Sequence, residues 1–332
     1  MNIFYTADDN FTAQLGAGIC SVCENNRAMD EIHFYIGALR ITPDHQQALV
    51  NLAKHYGRTV TIVPLDDLRT SLGFDFDTLG WSEVVLARLL VDRLLPPSVD
   101  RILYLDGDTI VRSDLTDLWN TDLNGCVLGA TIEPTVNRAR KEALGLTGQH
   151  YFNSGVLLID LKRWREEQTG SQILDYYRQK GGALFAPDQD AINGALAGRI
   201  YALSPKYNFY NIFWYYPYRT LCKMEAPAKY FPKSILDDAR KDPAIIHYLG
   251  EDRPWRRGNT HRYAADYQHY LSLTPWKDTP MEDGWQTYFF CYKLFLSVLK
   301  PFPMLRYHII DALIPAFMRY RKRQRLKETT SK

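Results

Sequence analysis

Cysteine is scarce in this 332-residue chain, and the five that occur, Cys20, Cys23, Cys126, Cys222 and Cys291, form an odd, scattered set. Such a set excludes a disulfide framework. Cys20 and Cys23 make a C-x-x-C, but they fall inside an expected helix with no second pair to complete a metal site, and are read as packing residues. An excess of charge of one sign is also missing. A formal net charge of +2 gives no whole-molecule electrostatic footprint for nucleic acid. No uninterrupted apolar run reaches the roughly 18 residues of a membrane-spanning helix. Met1 to Thr6 reads as a strand and not as a secretory leader, so a reducing cytoplasm is the expected compartment. Internal repeats are absent. What the chain does have is apolar residues, 46% of the total, enough for the core of one large α/β domain with an appendage.

The chain turns on Arg101-Ile102-Leu103-Tyr104-Leu105-Asp106-Gly107-Asp108-Thr109-Ile110-Val111. A short continuous apolar run fits a buried strand of a parallel sheet. Because the run ends in Asp-Gly-Asp, it delivers two carboxylates to the carboxyl edge, where open α/β sheets bind ligands. Two acids one residue apart repel each other unless a cation sits between them. Mg²⁺ and Mn²⁺ favour oxygen ligands and bridge to phosphates, which makes a divalent ion the simplest candidate. The plain alternative is a surface turn, since Asp-Gly pairs turn readily.

Strands and helices alternate around this stretch. Asn2 to Ala7 is a strand ending in Asp8-Asp9-Asn10, followed by a helix from Phe11 to Asn25. Glu31 to Ile36 is a second strand; Thr42 caps a helix whose first turn holds Pro43; and Thr59 to Val63 is a third strand. This β-α-β-α-β opening predicts parallel pairing with right-handed crossovers. Asp67 to Gly80 reads as loop, and Ser82-Glu83 open a helix that carries Arg88 and stops at Pro96-Pro97. Cys126 to Ile132 and Val156 to Asp160 are further buried strands. The polar stretch Pro134 to Gly148 between them reads as a mobile cover. A polar helix is expected from Trp164 to Lys180, and Asp188 is placed as the cap of the next helix. Tyr207 to Tyr218 is rich in aromatics, and Ala244-Ile245-Ile246 leads into His247.

Five blocks stand in one order: Asp8-Asp9-Asn10, Leu103 to Asp108, Phe152-Asn153-Ser154-Gly155-Val156, Asp188-Gln189-Asp190, and His247-Tyr248 with Pro254-Trp255. The series resembles family 8 of the glycosyltransferases over about residues 1 to 270. It is most similar to the bacterial galactosyl- and glucosyltransferases that extend lipopolysaccharide cores and related surface glycans. The resemblance implies the A-type glycosyltransferase fold, a mostly parallel Rossmann-like sheet flanked by helices. It implies a retaining hexosyltransferase that takes its sugar from UDP-glucose or UDP-galactose and passes it to a glycan or glycolipid acceptor. Carried across position by position, it implies that Asp106, Asp108 and His247 hold Mn²⁺ or Mg²⁺. Asp8 and Asn10 then lie near the nucleoside, and Asn153, Asp188 and Gln189 around the donor sugar. Arg88 lies near the diphosphate, as does the Gly250–Arg253 segment. Some members carry a phosphate-binding lysine where this chain has Arg253, which keeps the charge but changes the geometry. Double displacement and same-face attack both remain open as routes to retention.

Each residue also has a plainer reading: Asp188 as a cap, His247 as a core histidine, Arg88 on a solvated face. Two other functions compete. One is a sugar-nucleotide-binding stress or scaffold protein with weak turnover. The other is a haloacid-dehalogenase-type phosphatase, whose apolar strand also runs into Asp-x-Asp; that pattern wants Thr or Val where this chain has Ile110, and it usually lies near a chain start. The expected division is a catalytic domain over residues 1–280 and a helical basic, aromatic tail over 281–332. In the tail, apolar residues such as Phe290 and Leu294 mix with Lys293 and Lys300. Arg319, Arg321, Lys322, Arg323, Arg325 and Lys327 follow without an acid among them. That composition predicts peripheral association with the anionic inner face of the cell membrane.

Overall fold

The computed structural model describes residues 1–330; in the final helix the side chains of residues 317 and 320–330 lie outside the described residues. Seven strands form one sheet in the order β3-β2-β1-β4-β7-β6-β8. They are β1 (Asn2–Asp8), β2 (His33–Leu39), β3 (Thr59–Pro64), β4 (Arg101–Leu105), β6 (Leu128–Ile132), β7 (Phe152–Asp160) and β8 (Ile200–Ala202). A second sheet pairs β5 (Thr109–Val111) with β9 (Ile245–His247). The opening β-α-β-α-β is parallel as expected, with α1 (Thr12–Asn25) and α2 (Pro43–His55) as its crossovers.

Helices cover both faces, so the central strands are apolar on both sides. Ile102 and Tyr104 of β4 point into one core, and Leu103 and Leu105 into the other. β3, at the sheet edge, alternates exposed threonines with half-buried Val60 and Ile62, the pattern of a strand covered on one face.

One strand runs against the rest, and the site depends on it. β7 pairs antiparallel with both β4 and β6. A parallel strand would carry Asn153, Ser154 and Gly155 to the amino edge of the sheet. Reversed, β7 sets Val156 opposite Leu105 and brings its first residues beside Asp106 at the carboxyl edge.

Several local expectations are corrected. The helix expected from Ser82 is a 3-10 helix, Glu83–Leu90, continued by a single α turn, Val91–Leu94. Within it the Arg88 Nε donates to the Val85 carbonyl three residues back. The loop at Asp67 to Gly80 contains a short helix, Leu68–Leu72. The single helix from Trp164 is two, Leu161–Glu166 and Thr169–Gln179, parted at Gln168 with φ 54°. Pro134 to Gly148 holds a helix, Arg138–Ala143, capped by the Asn137 side chain. Asp188 does not cap: Ala186 is the N-cap of α3 (Pro187–Ala195), and Asp188 lies in its first turn facing the sheet.

Two helices close the chain, α4 (Gln286–Val298) and α5 (Pro303–Thr330). The first half of α5 packs on the body: Tyr307 joins the main core, buried Arg306 donates to the Tyr215 carbonyl, and Asn137 donates to both oxygens of Asp311. Among the described residues no helix is long and apolar enough to cross a membrane.

Candidate active site

Asp106 ends β4, Asp108 begins the turn into β5, and β9 pairs His247 with Thr109. Two separate sheets thus bring three ligand-type side chains together, with one donor atom from each within 4.8 Å of the others. His247 Nε2 lies 3.2 Å from Asp108 Oδ1 and 3.8 Å from Asp106 Oδ2. Its Nδ1 donates to the Asn208 Oδ1 at 2.9 Å, because the Asn208 amide nitrogen is committed to Asn153 Oδ1 at 2.8 Å. When the ring is neutral, its Nε2 lone pair therefore faces the carboxylates, the tautomer a metal ligand needs.

Room for an ion is kept by Gly155. A Cβ there would lie 2.3 Å from His247 Cε1 and 2.9 Å from Asp106 Oδ2. Two carboxylates and one imidazole suit Mn²⁺ or Mg²⁺ in donor type, so the residues fit such an ion. The carboxylates draw a cation to this point, either a proton on His247 or a metal ion. Burial pushes the Asp108 carboxyl up, but the His247 and Arg253 charges outweigh it and hold it below the usual range. Burial likewise depresses His247, and the Asp108 charge more than restores it.

Arg88 is only 3% exposed and spends its guanidinium on the site. Nη2 donates to Asp106 Oδ1 at 2.7 Å. Nη1 donates to the Ser154 carbonyl at 2.8 Å and lies 3.1 Å from Asp188 Oδ2. It is a buried link between the Asp106 carboxylate and the α3 carboxylate Asp188, not a solvated helix residue. Ser154 Oγ donates to Asp188 Oδ2 at 2.7 Å. Burial raises the Asp188 carboxyl, with Arg88 pulling against it. Gln189 accepts from the Ser154 backbone N–H at 2.9 Å and donates to the Tyr151 hydroxyl. Asp190, the next residue, instead holds Arg140 and Tyr151.

A buried chain of amides backs the cluster. His247 donates to Asn208, Asn208 to Asn153, and Asn153 Nδ2 to Glu133 Oε2 at 3.2 Å. Tyr210 also donates to that carboxylate. Sequence reasoning missed Asn208, Glu133 and Ser154. Ser154 sat inside a recognised block, but Asn208 and Glu133 carry no spacing signal; only the fold brings residues 133, 153, 208 and 247 into one line.

Of the predicted site residues, Arg88, Asp106, Asn153, Asp188, Gln189 and His247 line one cavity of about 350 Å³. Asp108 and Arg253 do not line it but pair with each other, 3.4 Å apart, with Asp108 beside His247. Asp8, Asn10 and Gly250 do not line it. Asp8 accepts from Ser82 Oγ at 3.3 Å, and Asn10 is exposed in the turn Asp9–Phe11. That turn nonetheless borders the cluster. The Phe11 ring lies against Gly107 and meets Trp255 edge-on, and Arg253 stacks near both rings. Gly250 turns the chain after β9 with φ 90°, and its carbonyl accepts from Arg253 Nε. Cys20 and Cys23 are buried packing residues, as expected; burial pushes the Cys23 thiol up to about 12.

Related sequences and the same fold occur in other proteins. General stress protein A of Bacillus subtilis is 26% identical over 282 residues, covering 83% of this chain and 94% of its own. A lipopolysaccharide 1,2-glucosyltransferase of Escherichia coli K12 is 30% identical over 289 residues, 86% of this chain and 81% of its own. The crystal structure of galactosyltransferase LgtC with donor and acceptor sugar analogs superposes with a TM-score of 0.70 at 27% identity, over 83% of this chain and 96% of that one. The profile of "Glycosyl transferase family 8" matches residues 2–259. A match running from the first strand to beyond His247 takes in Asp106, Asp108, His247 and their amide backing, and the chain belongs to glycosyl transferase family 8.

Proposed function

We propose that this protein is a metal-dependent, retaining hexosyltransferase that moves glucose or galactose from a UDP-sugar to a surface glycan or glycolipid. The observation that carries this reading is the convergence of Asp106, Asp108 and His247 beside a cavity whose opposite wall holds Asp188 and Gln189. Mn²⁺ or Mg²⁺ held by those three residues supplies Lewis-acid stabilisation of the charge that develops on the leaving diphosphate. Arg253 beside Asp108 adds a charge-assisted contact to the same phosphates. Asp8 and Asn10 take the nucleoside at the neighbouring turn. Asp188, Gln189 and Asn153 hold the sugar hydroxyls, with Asp188 fixed by Arg88 and Ser154. A carboxylate held this way is preorganised to face positive charge developing at the sugar carbon. The two relatives described as sugar transferases support the substrate class.

The protein is further proposed to work from the cytoplasm, resting on the inner membrane face through its last two helices. Phe290, Leu294, Val298 and Phe302 are each more than half exposed and recur every four residues, which places them along one side of α4 and its continuation. Lys293, Lys300 and Arg319 are exposed in the same segment. The side chains of Arg321, Lys322, Arg323, Arg325 and Lys327 lie outside the described residues. Apolar side chains beside cations suit an anionic lipid surface.

The test is a donor panel. Full-length protein with Mn²⁺ is incubated with each common UDP-sugar, and UDP release is recorded. Release is expected from UDP-glucose or UDP-galactose and lost in excess chelator. Several kcal/mol of charge stabilisation corresponds to about two or more orders of magnitude in rate, and Asp108→Asn should lose that much. Full activity in chelator or in Asp108→Asn overturns the metal-dependent reading. The 26% identity to a stress protein keeps one second reading, a sugar-nucleotide binder with little turnover. UDP binding without release from any donor, or onto any acceptor, would favour it.

A further inference from the structure

One wall of the catalytic cavity comes from outside the family match. Asp311, Ile314 and Pro315 of α5 line that cavity, whereas the family profile ends at residue 259. We propose that α5 is a lid on this cavity, latched by Asp311 to Asn137, and that an anionic lipid surface taking up the outer side of α4 and α5 releases the latch. Such control presupposes the transferase and membrane readings above and couples the two.

Three features make a lid of this helix. The first is a firm pivot. Buried Arg306 donates to the Tyr215 carbonyl and lies 4.4 Å above the Tyr216 ring, and Tyr307 sits in the main core. The second is a light hold beyond the pivot. The Asn137 amide donates to the two Asp311 oxygens at 2.9 and 3.1 Å. Among the described residues, no other hydrogen bond or ion pair ties α5 after Tyr307 to the body. Ile310 and Ile314 are only partly buried and line cavities. Pro315, inside the helix, brings no N–H to the Asp311 carbonyl one turn back, so the helix is weakened at the latch itself. The third is a route from the latch to the sugar side of the site. The Asn137 Oδ1 accepts from the Arg140 N–H at 2.9 Å. Arg140 in turn donates to Asp190 and to the Tyr151 hydroxyl, the same hydroxyl that Gln189 touches.

A surface shifts the lid only if it binds the lifted helix better than the seated one. Seated, α5 offers lipid its outer residues Leu305 and Leu313, 51% and 58% exposed. Lifted, it adds Ile310 and Ile314, so the lifted state places more apolar area in the membrane. Lys293, Lys300 and Arg319, exposed in the same segment, draw it to anionic headgroups. Asp311, already partly exposed, exchanges the Asn137 amide for water and leaves no buried charge behind. Away from a membrane the seated lid restricts access to Asp188 and Gln189. Closure of this kind sequesters a site until its substrates are in place.

The experiment uses the full chain carrying Thr135→Cys. Thr135 belongs to the body and lines the same cavity as Asp311 and Ile314, so a charged, membrane-impermeant thiol reagent reaches that position faster when α5 lifts. Peptide mass spectrometry reads it apart from the native cysteines. Labelling, sedimentation and UDP release from UDP-glucose and UDP-galactose with Mn²⁺ are measured in buffer, with phosphatidylcholine vesicles and with phosphatidylglycerol vesicles at low salt. The anionic vesicles are expected to speed labelling and UDP release by about tenfold or more, the scale of one lost hydrogen bond to a charged group. The neutral vesicles are expected to change neither. Asp311→Ala should reach the fast rates without vesicles. Asn137→Asp gives a second release, because Asp still caps the helix Arg138–Ala143 but sets a like charge against Asp311. Adding Asp311→Asn to it reverses donor and acceptor and should restore the slow rates. Phe290→Glu with Leu294→Glu should keep the buffer rates and lose the response to vesicles. The proposal falls if Asp311→Ala and Asn137→Asp label no faster than the parent. It also falls if they label faster but release UDP no faster than a parent that does release it, or if anionic vesicles that sediment the protein leave both rates unchanged. If no vesicle sediments the protein, the membrane reading is at fault and the proposal falls with it. If no donor releases UDP under any condition, the transferase reading is at fault and the labelling alone decides the lid.

Discussion

Asn208 touches no part of the cavity, yet it decides which nitrogen of His247 faces Asp106 and Asp108. Replacing it with Ala strands the His247 Nδ1 hydrogen in a fully buried site and frees the ring to turn. Outer-shell partners of metal ligands typically control affinity by about 10–100-fold, and Asn208→Ala is expected to weaken Mn²⁺ binding by that factor, measured by calorimetric titration. Unchanged affinity would remove Asn208 from the account. Asp188 separates two roles in the same way. As a cap, its loss to Ala would cost about 0.5–2 kcal/mol of stability and nothing in turnover. Because it sits past the cap and holds Ser154 and Arg88, Asp188→Ala is expected to cut turnover by at least about a hundredfold while UDP binding persists. Turnover per folded molecule equal to wild type would return it to a structural role.

At the scale of elements, the direction of β7 and its fastening to α3 set the distances of the sugar site. Asn193 performs the fastening: its side chain accepts from the Phe152 N–H at 2.7 Å and donates to the Phe152 carbonyl at 2.8 Å, like a missing strand partner. Ala at this position leaves two buried backbone groups unpaired, each costing about 1–3 kcal/mol. Asn193→Ala is therefore expected to lower stability by about 2–5 kcal/mol in denaturant melts and to impair the Asp188–Gln189 side of the cavity first, since Asp106 reaches α3 only through Arg88 and His247 is backed by Asn208. A variant that loses less than about 0.5 kcal/mol would show that the pairing is idle. These elements also mark what the sequence made legible. The apolar run into Asp106 and the opening β-α-β-α-β were readable because burial on both faces leaves an unbroken hydrophobic signature. The reversal of β7 was not, because a strand buried on both faces reads alike in either direction. Asp188 was misplaced by two residues because Pro187 starts α3 earlier than a capping aspartate would. Glu133 and Asn208 were invisible because a single polar residue has no period.

For the whole molecule, the question is what lies on the outer side of α4 and α5. Eight large apolar side chains are exposed among the described residues, and seven fall between Tyr288 and Leu313. That concentration forms a patch of the kind that marks an interaction surface. Full-length protein is expected to sediment with anionic vesicles at low salt and to be released as salt rises, since each basic residue near such a surface contributes about 1 kcal/mol. Phe290→Glu combined with Leu294→Glu should abolish sedimentation without unfolding the protein. These exposed sites test the idea more cleanly than truncation near residue 281, which would also strip buried Tyr307 and Arg306 from the body. Indifference of the wild-type protein to anionic vesicles would remove the membrane from its biology.

The crossing of α5 over the catalytic cavity also bears on heredity. Every side chain assigned here to the donor lies between Asp8 and Arg253, whereas Tyr288, Tyr292, Tyr307 and Asp311 are encoded after them in one uninterrupted stretch. A single recombination event downstream of the Arg253 codon would replace α5, which lines that cavity, and leave Asp106, Asp108, His247 and α3 whole. A lineage built this way can exchange that wall in one genetic step. Its descendants would then differ most in the part of the gene where a comparison of catalytic residues would find nothing to compare.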